Sequence, residues 1–269
     1  MTIRLDSYLH LHQMTDSRQQ AQRTIRDCRV IVNGKICTKV AQLISEGDKI
    51  TILESTQPQY VSRGGYKLEA AIKAFSLDFS KKAVLDIGAS TGGFTDCALQ
   101  HGASSVVAID VGSNQIHPSL RNRSEVEIIE NTNFRSFNNK DYYHKFDIVV
   151  IDVSFISLIR MLENLSNYLS ENAIIVALIK PQFEAGPEAV GKNGVVKGKI
   201  KHENIIEKVI LQANNNGYSL LRLHYSPLRG ERNGNIEFLG LFSNRKNAPS
   251  NYSVRSTVEQ AYNYFKGAE

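Results

Sequence analysis

From residue 63 onward, short runs of consecutive apolar residues alternate with longer amphipathic stretches. The runs are KAVLDIG (82–88), SVVAIDVG (105–112), VEIIENTN (126–133), FDIVVIDVSF (146–155), AIIVALIKP (173–181), YSLLRLHYS (218–226) and NIEFLGLFS (235–243). Between them GYKLEAAIKAF (65–75), FTDCALQHG (94–102), LIRMLENLSNYL (158–169) and HENIIEKVILQANNNG (202–217) carry helical periodicity. Strands that are apolar on both sides belong in a parallel sheet covered by helices on both faces. The last two runs follow one another without a helix, which predicts an antiparallel edge pair. The pattern therefore predicts an α/β, Rossmann-like fold with a seven-stranded, mostly parallel sheet. PSNYSVRSTVEQAYNYFKGAE (249–269) reads as a terminal helix.

The first 55 residues follow a different rhythm. RLDSYLHLH (4–12) and SRQQAQRTIRDC (17–28) read as short amphipathic helices, with Leu5, Tyr8, Leu9 and then Ala21 and Ile25 on their apolar faces. Ser17 is placed to cap the second helix, and Gln20 completes a capping-box pattern. In RVIVNGKIC (29–37), Val30 and Val32 alternate with polar neighbours before Asn33-Gly34, a tight-turn signal. GDKITILE (47–54) closes the unit as a strand. The expected organisation is a small α+β domain over 1–55, a linker over 56–62, an α/β domain over 63–243 and a tail or helix over 244–269.

Composition narrows the class. The 269 residues, 42% apolar and 22% charged, suit one sizeable core plus an accessory domain. Three cysteines without metal-ligand spacing, and no apolar leader, point to a reducing cytoplasm and no metal site. No apolar run nears the roughly 20 residues that span a bilayer, so no membrane insertion is expected. A net charge of +5 permits a polyanionic partner. Arg4, Arg18, Arg23, Arg26, Arg29, Lys35 and Lys39 stud the first domain, but acids interrupt them. Composition alone leaves a solvated face and a nucleic-acid surface about equally open.

LDIGASTGGFTD (85–96) links the first strand of the sheet to a helix. It lacks the Gly-Lys-Ser/Thr ending of a P-loop and is not a clean G-x-G-x-x-G, so glycine spacing alone leaves a structural turn equally open. Asp86 in the lead-in and Asp110 at the end of the second strand add acid where ribose hydroxyls are gripped. A cationic cofactor that needs no pyrophosphate cradle suits that acid better than a dinucleotide. Four further charged residues lie near strand ends or in the first helix: Lys67 in SRGGYKL, Asp152 in IDVSF, Lys180 in IKPQFE and Glu237 in GNIEF. Each alone has a bland reading as a helix lysine, turn acid, solvated lysine or strand-end ion pair.

Together these segments resemble known families. D-x-G-x-x-x-G-G with an acidic second strand resembles the S-adenosylmethionine site of class I methyltransferases. That resemblance implies cofactor contacts from Asp86, Gly88, Ala89, Ser90, Gly92, Gly93, Phe94, Asp110 and Asp152, with Asn133 at the adenine. Lys67, Asp152, Lys180 and Glu237 resemble the Lys-Asp-Lys-Glu tetrad of FtsJ-like ribose 2′-O-methyltransferases. RLDSYL followed by SRQQAQRTIRDCRVIVNG resembles the S4-like RNA-binding domain. The combination, from Arg4 to Ser243, resembles the TlyA family, which methylates the 2′-hydroxyl of cytidine in ribosomal RNA and some of whose members carry a hemolysin label. A partner in ribosomal RNA or a ribosomal subunit follows, through Arg4, Arg18, Lys39, Arg63 and Arg135, with Phe155 as a platform for an unstacked base or as core packing. The short ends resemble the shorter members, which favours 23S over 16S RNA.

A lysine serves as a base only when its pKa is lowered. Lys67 and Lys180 are expected to lower one another's, with Asp152 and Glu237 orienting them. Lys180 is the assigned base and Lys67 positions the hydroxyl, although the sequence permits the exchange. The competing readings are a non-catalytic ribosome-assembly factor, a membrane-active hemolysin and a nicotinamide-dependent oxidoreductase.

Overall fold

The computed structural model describes residues 2–53, 59–186, 188, 190–191, 193–230, 234–245 and 248–266. The amino-terminal module contains β1 (Ile3–Arg4), α1 (Leu5–Leu11), α2 (Arg18–Arg26), β2 (Val30–Val32), β3 (Lys35–Ile36), β4 (Leu43–Ile44) and β5 (Ile50–Ile52). Ser17 Oγ accepts from the Gln20 amide at 3.1 Å, while Gln20 Oε1 takes the Asp16 amide at 2.7 Å. The capping box thus closes one residue earlier than its standard form. Asn33 and Gly34 both have positive φ, 51° and 78°, as a two-residue hairpin turn requires, and β2 pairs with β3 and β5. The β1–β4 pair is too short for alternation to announce.

One acid organises this module. Asp6 is wholly buried and accepts from Arg4 Nε and Arg18 Nε at 3.0 Å each, from Gln22 Nε2 at 2.9 Å and from the Ser7 amide at 3.0 Å. Burial pushes its carboxyl up, but the hydrogen bonds from Arg4, Gln22 and Arg18 outweigh that and hold it well below the carboxylate range. Beneath it Leu5, Leu9, Ala21, Ile25, Val30 and Ile44 form the core.

The second domain comprises α3 (Arg63–Phe75), β6 (Ala83–Ile87), α4 (Gly93–Gln100), β7 (Ser105–Ile109), α5 (Pro118–Arg121), β8 (Val126–Ile129), β9 (Phe146–Ile151), α6 (Ile159–Leu162), β10 (Leu169–Ile179), α7 (Pro181–Glu184), α8 (Lys199–Asn215), β11 (Ser219–Tyr225), β12 (Phe238–Ser243) and α9 (Val254–Lys266). Its seven-stranded sheet has the order β11-β12-β10-β9-β6-β7-β8. β12 runs antiparallel to both neighbours, and the pairs on the other side of β10 are parallel. Neighbouring residues along a strand face opposite layers. Leu85, Val149 and Ile175 lie in the core that includes Leu162, Ile206 and Val258. Val84, Ile148 and Val176 lie in the other, with Leu68, Ile72 and Cys97. Both faces are covered, which is why these strands read as continuous apolar runs.

Two elements differ from expectation. The helix expected over 158–169 splits into α6 and a 3-10 turn at Ser166–Tyr168. Asn164 Nδ2 instead donates to the carbonyls of Phe134 and Phe137 at 2.7 and 2.8 Å, and Tyr168 Oη to Phe137 at 2.7 Å, which ties the segment to a neighbouring loop. β10 starts at Leu169, with a register shift before Ile174.

The two domains meet at defined points. Cys28 is wholly buried in the same apolar cluster as Tyr60 and Tyr66. Lys35 Nζ donates to the Tyr264 carbonyl at 2.5 Å and sits 4.5 Å from that ring's centroid. Of the expected linker, residues 56–58 lie outside the described residues. Tyr60 is buried, the Val61 amide donates to Asp96 Oδ2 at 2.8 Å, and Ser62 caps α3.

Asp6→Asn leaves two guanidinium groups without their counter-charge. It is expected to cost the module about 1–3 kcal/mol, read as at least a fivefold loss of amide-exchange protection in α1 and α2. The wild-type advantage is present above the ordinary carboxylate pKa and disappears as pH falls towards the depressed folded value. Unchanged protection would remove Asp6 from this role.

Candidate active site

The site lies beyond the carboxyl ends of β6, β7, β9 and β10. The turn after β6 admits only glycine at position 88: Gly88 has φ +83°, and a Cβ there would lie 2.8 Å from the Asp152 carbonyl. The Ser90 amide donates to Asp110 Oδ2 at 2.8 Å and the Gly112 amide to Oδ1 at 2.7 Å, so Asp110 stitches the loop to the end of β7. At Gly93 a Cβ would stand 2.2 Å from Ser62 Oγ, which lets the amino ends of α3 and α4 touch. That contact carries Lys67 over the sheet edge.

A cleft of about 1080 Å³ opens there. Gly88, Ala89, Ser90, Gly93, Phe94, Asp110, Asn133 and Asp152 line it, as do Lys67, Lys180, Glu237, Arg63 and Phe155. Asp86 and Gly92 are not among the lining residues. Asp86 is wholly buried behind the loop, where Oδ2 accepts from Thr95 Oγ1 at 2.7 Å and Oδ1 has no partner. Burial pushes its carboxyl up to about 7. Asn133 accepts the Arg135 amide at 3.1 Å, and Arg135, Arg4, Arg18 and Lys39 stand outside the cleft. Arg4 and Arg18 remain 45% and 52% exposed beside Asp6, with their guanidinium groups held close together.

The four residues from distant parts of the chain meet as two pairs. Lys67 Nζ is 2.7 Å from Glu237 Oε2, and Lys180 Nζ is 2.6 Å from Asp152 Oδ1. Lys180 also donates to Ser154 Oγ at 2.9 Å, and Gln182 Nε2 to Glu237 Oε1 at 3.2 Å. The expected mutual depression of the lysines does not hold for Lys67. Burial pushes its pKa down, but Asp152 and Glu237 outweigh it and leave the pKa raised. Burial works against ionised Asp152 too, and Lys67 and Lys180 still hold its pKa low.

The loop after β9 is fastened to the turn after β10. Phe155 has φ +65°, is 70% exposed and meets Phe183 at 5.0 Å between centroids, so it is not core packing. Glu184 accepts from Ser157 Oγ at 2.6 Å and the Leu158 amide at 2.7 Å. An exposed aromatic on a left-handed backbone is a strained arrangement that its surroundings must enforce.

The FtsJ-like methyltransferase family matches residues 60–242, and the S4 domain family matches residues 3–50. The chain belongs to the FtsJ-like methyltransferase family. It is 38% identical over 259 residues to "16S/23S rRNA (cytidine-2′-O)-methyltransferase TlyA" of Mycobacterium tuberculosis, covering 96% of each chain. It is 40% identical over 241 residues to "Hemolysin A" of Brachyspira hyodysenteriae, covering 89% of this chain and 99% of that one. The solved structure of a putative hemolysin from Streptococcus thermophilus aligns over 99% of this chain and 98% of that one, at 38% identity and a TM-score of 0.75. Among the described residues of this methyltransferase no helix is long and apolar enough to cross a membrane.

Sequence reasoning missed the residues that support the tetrad. Ser154, Gln182 and Glu184 lie inside the quoted IDVSF and IKPQFE segments, but their role rests on contacts between two loops that no periodicity encodes. Thr95 was missed for the same reason.

A carboxyl with a raised folded pKa stabilises the fold fully below its unfolded value near 4. That contribution is lost as pH rises through about 7. Asp86→Asn keeps an acceptor for Thr95 without a charge. The variant should therefore gain stability relative to wild type as pH climbs from 4 to 7, by on the order of a few kcal/mol, read from denaturant midpoints. A pH-independent difference would contradict a buried, raised Asp86.

Proposed function

We propose that this methyltransferase transfers a methyl group from S-adenosylmethionine to the ribose 2′-hydroxyl of cytidine in ribosomal RNA, 23S RNA first. The observation that carries the reading is the pair of lysine–carboxylate couples facing one cleft beside the glycine loop. The names of the relatives from Mycobacterium tuberculosis and Campylobacter jejuni both include 23S rRNA and cytidine-2′-O-methylation. The cleft fits the cofactor's chemistry. Gly88 leaves room for a close approach, Asp110 presents acid to ribose hydroxyls, Asn133 stands at the edge assigned to adenine, and Asp152 faces a cation. S-adenosylmethionine supplies an electrophilic methyl group on a sulfonium.

The chain's own residues supply the rest. A ribose 2′-hydroxyl is a poor nucleophile until it sheds its proton. Lys67, whose ammonium form is favoured, donates to the 2′-oxygen and stabilises its developing charge. Lys180 Nζ takes the proton, which requires that it first be neutral. Its carboxylate partner is Asp152, which Lys67 also engages electrostatically. Glu237 and Gln182 keep Lys67 in place. Phe155, tilted against Phe183, offers a face to an extruded base. Arg4, Arg18, Lys39, Arg63 and Arg135 contact phosphates, which fix register without reading sequence.

The test is transfer of labelled methyl to each purified, unmodified ribosomal subunit, with wild type beside Lys180→Ala and Lys67→Ala. Label is expected on a cytidine 2′-oxygen of the large subunit. Each variant should lose about 10²–10⁴-fold in rate while binding S-adenosylmethionine within a few fold of wild type. No label on either subunit from cofactor-binding wild-type protein would overturn the substrate assignment. Label that persists in Lys180→Ala would overturn its role as base.

A further inference from the structure

The catalytic cleft is not walled by the methyltransferase domain alone. Arg26 and Asp27 at the end of α2, with Cys28 after them, line it too, together with Arg63 and Arg229. The S4 module therefore reaches the place where the reacting ribose must enter. The cleft is also larger than one cofactor needs, at the upper end of the usual range for small-ligand sites.

Arg26 is exposed on the last turn of α2. Three other arginines of the module carry an intramolecular contact: Arg4 and Arg18 each reach Asp6 while staying about half exposed, and Arg29 Nη2 donates to the Leu53 carbonyl at 3.1 Å. Among the described residues no hydrogen bond or ion pair occupies the Arg26 guanidinium. Its position is nonetheless set by the domain contact. Cys28, two residues on, has φ +59° and is sunk into the core of the catalytic domain. Cys28 Sγ also lies 3.9 Å from the Arg26 carbonyl. Arg63, also on the cleft wall, donates from Nη2 to the Arg229 carbonyl at 3.0 Å, and its buried Nε has no partner. Asp27 is the acid beside Arg26. It is half-buried, and its field falls on the Tyr66 hydroxyl.

We infer that Arg26 binds the phosphodiester backbone flanking the target nucleotide, so that the S4 module supplies one wall of the substrate entrance as well as distant RNA affinity. This rests on the ribose methylation proposed above. A nucleotide whose 2′-oxygen reaches Lys67 and Lys180 brings its flanking phosphates to the mouth of the cleft. A guanidinium without an intramolecular partner at that mouth meets them with little desolvation to repay.

The experiment measures binding of the full-length protein to unmodified ribosomal subunits across a salt series, with methyl transfer read in the same samples. Wild type is compared with Arg26→Ala, Arg26→Lys and, as a control, Arg23→Ala, one turn away and outside the cleft. Arg26→Ala is expected to bind about fivefold more weakly at low salt and to reduce the slope of log affinity against log salt by about 1. Arg26→Lys should recover most of the slope, and Arg23→Ala should change it less than Arg26→Ala does. Cofactor affinity should not move in any of them. Arg26→Ala with wild-type affinity and slope, or with an effect no larger than Arg23→Ala, would overturn the inference. If wild type binds the subunit but transfers no methyl, the methylation reading fails, and the salt slope still decides whether Arg26 meets phosphate.

Discussion

The site depends on how closely two helix ends approach. α3 and α4 touch at their amino termini because position 93 carries no side chain; a Cβ there would collide with Ser62 Oγ and, at 2.8 Å, with the Gly65 amide nitrogen. Ser62 caps α3 at the same point, and Asp96 on α4 takes the Val61 amide. The entry of the chain into α3 is thus set by α4, and α4 is set by the glycine turn after β6. One backbone path therefore places both the glycine loop and Lys67. Cofactor and nucleophile must be aligned within a fraction of an ångström for in-line transfer, so a common support matters more than the strength of any single contact.

Charge is balanced locally. Lys67, Lys180, Asp152 and Glu237 are all at least largely buried, and each charge has a partner of opposite sign within 2.7 Å. Removing one partner of such a pair leaves an uncompensated charge, which is more costly than the pair was beneficial. The two pairs are also coupled, since Asp152 acts on Lys67 as well as on Lys180.

Much of this was legible in the chain. Continuous apolar runs gave away a sheet covered on both faces, and the absence of a helix before NIEFLGLFS gave away the antiparallel β12. Asn33-Gly34 named its turn. Lys67, Asp152, Lys180 and Glu237 were found by resemblance, because nothing in spacing links positions 67 and 237; only the β order brings them together. Asp86 shows the limit of motif reading. Its place in the loop signature is plain, but whether a carboxylate faces the cleft or the core depends on Thr95 in the first turn of α4. The broken helix at Asn164 failed for the same reason: its side chain hydrogen-bonds to carbonyls about 30 residues away, which overrides local periodicity.

The contact between Lys35 and Tyr264 joins the hairpin of the first domain to the last helix, 229 residues apart along the chain. With Cys28 docked in the cluster that holds Tyr66, the S4 module meets the catalytic domain at two places. The two contacts leave the S4 module from different elements, the hairpin and the end of α2, so the seating of that module is written into both of its halves and into the far end of the chain.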